Sequence, residues 1–79
     1  MLGADGPEGM RCSRAGCRET AVFAVHWRNP RIHGADRVKT WLACHDHRDF
    51  LHDYLASRSF PVVVTEAGQT VERLPEPPA

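Results

Sequence analysis

Three cysteines and one histidine carry the chemistry this sequence can do. Cys12, Cys17, Cys44 and His47 form the pattern C-x4-C-x26-C-x2-H. Thiolate and imidazole are the donors that a zinc ion takes in a tetrahedron. The first pair encloses a short loop, SRAG, in which Gly16 lets the chain turn back on a single ion. The second pair lies three residues apart at the expected start of a helix, close enough to converge on that ion. His45 and His52 are rival ligands: His45 follows Cys44 directly and should point elsewhere, while His52 lies off the apolar stripe that carries His47. Two other histidines, His26 and His33, read as a strand-face and a loop residue.

Elements that would position these donors follow from the periodicity. ETAVFAVHW, residues 19–27, alternates, with Ala21, Phe23, Val25 and Trp27 on one face and Val22, Ala24 and His26 on the other, which predicts a strand. RNPRIHGAD, 28–36, holds turn residues and reads as a loop. RVKTWLA, 37–43, is β-branched and aromatic, so the two runs predict a β-hairpin with a basic tip. From Asp46 to about Arg58 the period lengthens to that of a helix, Phe50, Leu51, Tyr54 and Leu55 forming an inward stripe with Asp46 as N-cap. SFPVVVTE, 59–66, predicts a short strand whose Pro61 suits a sheet edge; a turn at Gly68 and Gln69 then leads to a last extended piece, TVERL.

Length and charge bound the rest. Seventy-nine residues make one domain with too little apolar interior for comfortable stability, so a staple is expected. An odd cysteine count leaves one thiol over in any disulfide scheme, which favours metal. The start of the chain does not read as a signal peptide, and no apolar run approaches the ~20 residues of a membrane helix, so the expected setting is cytoplasmic, where thiols stay reduced. The expected organisation is a disordered tail over 1–10, a zinc-binding domain over 11–66 and an extended Pro-rich tail over 67–79. The formal net charge is zero, yet residues 11–48 hold eight basic side chains against three acidic ones. Arg11, Arg14 and Arg18 flank the first cysteines and are expected to favour their thiolates. In the hairpin, Arg28, Arg31, Arg37 and Lys39 are candidates for partner contact. Trp27 and Trp41 read as cross-strand core partners more readily than as a stacking platform.

The order of knuckle, hairpin and ligand-bearing helix resembles a treble-clef zinc finger over residues 12–58. It departs from the familiar short knuckle in the longer CSRAGC loop and in its final histidine. RCSRAGC, NPRIH and KTWLACHDHR together resemble a group of small actinobacterial zinc-binding proteins, some of which carry the label acetone carboxylase. That resemblance implies a small α+β fold. It does not imply the labelled activity, because ketone carboxylation needs nucleotide, bicarbonate and ketone sites that 79 residues cannot hold.

The expected function is therefore a non-enzymatic, zinc-stabilised binding or adaptor module. Neutral total charge points to a protein partner, while the local basic excess keeps a nucleic-acid-binding finger as the alternative. A thiol redox switch in which Cys12 and Cys17 oxidise and release zinc is a third reading. A zinc enzyme would need three ligands, a water and a carboxylate such as Glu19 or Asp46. The sequence contains neither H-E-x-x-H nor the paired zinc-deaminase motifs.

Overall fold

The protein is described from a computed structural model, which places residues 11–74. The tail expected over 1–10 and the final prolines lie outside the described residues. Three strands and one helix follow in chain order: β1 Phe23–Trp27, β2 Lys39–Ala43, α1 Arg48–Ala56 and β3 Val62–Glu66. The strands form one antiparallel sheet in the order β2-β1-β3. The architecture is thus α+β, with β1 central and β3, preceded by Pro61, at an edge.

Every element is shorter than the sequence pattern predicts, for local reasons. Alternation begins at Glu19, but Thr20 bridges Arg11 and the Glu19 carbonyl accepts the Cys12 amide, so these residues pair with the knuckle instead of the sheet. The helix begins at Arg48 because 45–47 form a turn: the amides of His47 and Arg48 both reach the Cys44 carbonyl. His47, not Asp46, occupies the N-cap position, and no side chain caps the helix there. At the other end Ser59 adopts a left-handed φ of 64°, which turns the chain out of the helix and delays β3 to Val62. No strand forms over TVERL, although Leu74 is buried.

One face of the sheet packs against the helix. Register pairs Phe23 with Ala43, Val25 with Trp41 and Trp27 with Lys39, and strand alternation sends these side chains to the same side. Leu51 and Leu55, four apart on α1, meet that face. Phe50 and Tyr54 do not share the stripe: they are 48% and 44% exposed, because one 100° step along the helix carries them away from the two leucines. Trp27 and Trp41 pack ring to ring at 5.1 Å, and Trp27 stacks on Phe60 at 5.8 Å. They are hairpin core, as diagonal neighbours across antiparallel strands should be.

The interior is scant. Its buried cluster consists of Cys12, Val25, Ala43, Cys44, Leu51 and Leu55, so two sulfurs make up part of what little apolar core there is. Among the largest fully buried side chains is a histidine, His26, on the opposite face of β1. It survives there because both ring nitrogens are satisfied, Nδ1 with the Thr40 hydroxyl at 3.1 Å and Nε2 with that of Thr65 at 2.8 Å. A strand-face histidine thus becomes a polar tie between all three strands.

Burial pushes the His26 imidazole below its ordinary value of 6.5. The unfolded chain therefore takes up this proton first as pH falls below 6.5, and stability associated with neutral His26 is present above that pH and declines beneath it. Urea midpoints measured between pH 7.5 and 5.5 are expected to drop through this window, and less steeply in His26→Gln. Thr65→Val should cost about 1–3 kcal/mol by leaving Nε2 buried without a partner.

Candidate metal centre

Two loops bring the four predicted donors together. The first runs from Cys12 to Cys17, where the Cys17 amide bonds to the Arg14 carbonyl at 2.9 Å and Gly16 takes a φ of 83°. Space around Gly16 is open, so its role is conformational rather than steric. The second is the turn at 44–47 that leads into α1. Ser13 ties the first loop to the sheet: its amide donates to the Leu42 carbonyl at 2.7 Å, and the Leu42 amide donates to its hydroxyl at 3.0 Å. Cys12 is thereby set beside Cys44, two residues beyond Leu42.

The Sγ atoms of Cys12, Cys17 and Cys44 and one ring nitrogen of His47 all lie within 4.8 Å of one another. Cys17 Sγ is 3.8 Å from Cys44 Sγ, and His47 Nδ1 is 3.3 Å from Cys44 Sγ and 3.6 Å from Cys12 Sγ. These four side chains can hold a metal ion. The rival histidines stand apart: His45 is exposed with its ring beside Phe23, and His52 bonds to Asp53 on the outer side of the helix. Cys12 and Cys44 are buried, whereas Cys17 and His47 keep partial exposure. Phe50 covers the imidazole edge-on, with 6.3 Å between ring centres.

Electrostatics in the cluster is divided. Burial disfavours the Cys12 thiolate, but the amides of Cys44 and Arg14 and the side chains of His47 and Cys44 outweigh it and hold the thiol down at about 7. At Cys17 the Glu19 amide favours the thiolate, yet burial and the neighbouring Cys12 and Cys44 sulfurs together push that thiol up. Adjacent sulfurs cannot all ionise cheaply, and a cation among them would reverse that cost. Backbone amides perform the task expected of the arginines. Arg14 instead lies over the Phe50 ring at 4.5 Å and donates to the Ala15 carbonyl.

The candidate partner contacts divide as well. Arg31, Arg37 and Lys39 are exposed, but Arg28 is buried and donates to the His33 carbonyl, while the Asn29 amide donates to His33 Nδ1. Arg28 and His33 therefore hold the hairpin loop from within. Glu19 and Asp46 are exposed and do not join the four donors. Sequence reading missed Ser13, Phe50 and Tyr54 as surface-building residues. The 100° step between adjacent helical residues was the signal that could have separated Phe50 from Leu51. No family model, curated protein or solved structure matches the chain. Among the described residues, no helix is long and apolar enough to cross a membrane.

Gly16→Ala is expected to destabilise the protein by about 1–2 kcal/mol through its left-handed backbone alone. Gly16→Asn should cost less, since asparagine tolerates that conformation, and urea unfolding of the two variants side by side measures the difference.

Proposed function

We propose that this protein is a non-catalytic binding module whose fold is held by one structural zinc ion on Cys12, Cys17, Cys44 and His47. The observation that carries the reading is the spacing of the donor atoms. A tetrahedron with zinc–sulfur bonds near 2.3 Å and zinc–nitrogen bonds near 2.0–2.1 Å puts sulfurs roughly 3.8 Å apart and sulfur about 3.6 Å from nitrogen. The sulfur pair at 3.8 Å and the sulfur–nitrogen pairs at 3.3 and 3.6 Å lie close to those values. Three thiolates and an imidazole suit zinc, and softer donors exclude magnesium and calcium.

A set of four protein ligands closes the ion's coordination, leaving no position for water or substrate, which argues against hydrolytic or deaminase chemistry. The elements support a treble-clef-like arrangement: a cysteine loop, a hairpin, and a second ligand pair at the start of a helix. Energy scales support a structural role. Zinc binding at such sites is worth about 10–16 kcal/mol, comparable with or larger than the 5–15 kcal/mol net stability of a whole domain. A core this small depends on that contribution.

A thiol switch is a second reading, and one distance favours it. Cys17, the least covered cysteine, sits 3.8 Å from Cys44, which adds this pair to the Cys12–Cys17 pair suggested by sequence proximity. Peroxide would take two electrons from the two thiolates, form one S–S bond and leave two waters after proton uptake. Zinc would lose two ligands.

Elemental analysis of the purified chain is expected to give one zinc per molecule, and cobalt substitution should give the intense visible bands of a tetrahedral thiolate site. Removal by a strong chelator should abolish the cooperative thermal transition. Cys17→Ser and Cys44→Ser should be unfolded by circular dichroism, whereas His45→Ala and His52→Ala should keep metal and fold. A native Cys44→Ser chain without metal would overturn the proposal.

A further inference from the structure

Strand β2 is an edge of the sheet, and its outer side is only partly used. Ser13 takes both the amide and the carbonyl of Leu42, so those groups point away from β1. Alternation along the strand then turns the amide and carbonyl of Thr40 outward too. Among the described residues, no hydrogen bond outside the β1–β2 ladder uses them. Ser13 closes the edge at one end. At Thr40 it stays open, a donor and an acceptor side by side in the geometry an added strand requires.

Beside this edge lies a groove of about 410 Å³ whose walls include Ala15, Trp41, Phe50 and Tyr54. Trp41 points to the helix face of the sheet, so a strand residue placed opposite it would send its side chain into the groove. The rim is cationic. Arg14 lies over Phe50, its Nε is buried without a hydrogen-bond partner, and it has no carboxylate partner among the described residues. Arg58 lies over Tyr54 at 4.3 Å, and exposed Lys39 is two residues from Trp41 on the same face. Among the described residues, no acidic side chain lines the groove.

We propose that the β2 edge and this groove bind an extended acidic peptide segment of another protein. The inference rests on the binding-module reading and names its partner chemistry. Running antiparallel to β2, the segment places a large apolar side chain opposite Trp41, exchanges two backbone hydrogen bonds with Thr40 and sets a carboxylate opposite Lys39. A second carboxylate, two residues before the apolar side chain and so on the same face, reaches Arg14. This is strand addition: backbone bonds supply affinity, while the pocket and charges supply selectivity. Nucleic acid fits less well, because Arg14 and Arg58 already cover faces of Phe50 and Tyr54 that bases would stack on, and because it cannot use the Thr40 pair. A second copy fits less well because β2 carries no acidic residue, so pairing β2 with β2 would add a second Lys39 to a rim that is already cationic.

The test uses the zinc-loaded full chain, isotope-labelled, titrated with the capped peptide Glu-Asp-Phe-Val-Asp-Glu and followed by amide chemical shifts. Expected are saturable shifts confined to Arg14, Lys39, Thr40, Trp41, Phe50 and Tyr54. N-methylation of the peptide valine should weaken binding about tenfold by removing its bond to Thr40, and Lys39→Glu about fivefold. Arg73→Glu, exposed and beyond β3 in the chain, should leave affinity unchanged. Absent shifts at millimolar peptide, or equal binding of the N-methylated peptide, would overturn the proposal. So would a twelve-residue oligothymidine that shifts the same residues more tightly, or a dimer in sedimentation that Lys39→Glu dissociates. Metal content is measured on the same sample: one zinc without peptide shifts refutes the groove alone, and peptide binding by a folded metal-free chain supports the groove while refuting the zinc reading.

Discussion

The tightest constraint in this structure is the meeting of three sulfurs and an imidazole nitrogen within 4.8 Å of one another. Left to themselves the sulfurs oppose this, since burial and then the neighbouring Cys12 and Cys44 sulfurs push the Cys17 thiol up. A cation turns the same crowding into attraction. The interaction spans the chain's longest gap between functional residues, from the loop at 12–17 to the turn at 44–47, and the hairpin between them is the connection it closes. Cys12 and Cys44 are also members of the buried cluster, so donor set and hydrophobic core are one body. In a larger domain they would be separable.

The sheet carries a second, smaller constraint on its other face. His26 is enclosed by strands on both sides and held by hydroxyls from each, so the central strand cannot slip by one residue without pulling a ring nitrogen from its partner. An apolar residue there would fill the space but fix nothing. The polar tie therefore helps set register in a three-stranded sheet whose strands are only five residues long.

The donor spacing, the hairpin and the helix were legible because each rests on a local pattern: cysteine spacing, alternation, and a change of period at Asp46. Less legible was anything decided by partners distant in the chain. Residues 19–22 alternate as a strand should, yet they pair with Arg11 and Cys12, and nothing local marks that choice. Asp46 has the chemistry of an N-cap, but the turn that aims His47 Nδ1 at the sulfurs takes priority over capping. Arg14, Arg18 and Arg11 looked like counter-charges for thiolates. Backbone amides, which every sequence has and no motif displays, lower the Cys12 thiol instead. Phe50 and Tyr54 were counted as core because their neighbours Leu51 and Leu55 are, and the helix turns just far enough to leave them outside.

Ser13 has a consequence for how distant parts of the molecule communicate. It lies one residue from Cys12, grips the end of β2, and begins the wall that Arg14 and Ala15 continue. A single short loop thus serves as a ligand arm on one side and as a surface on the other. Occupancy on either side would restrict the same few backbone torsions, so the entropy of ordering the loop would be lost once and shared. Linkage would make that sharing reciprocal: whatever factor a bound ion contributed to holding a guest, the guest would return to holding the ion.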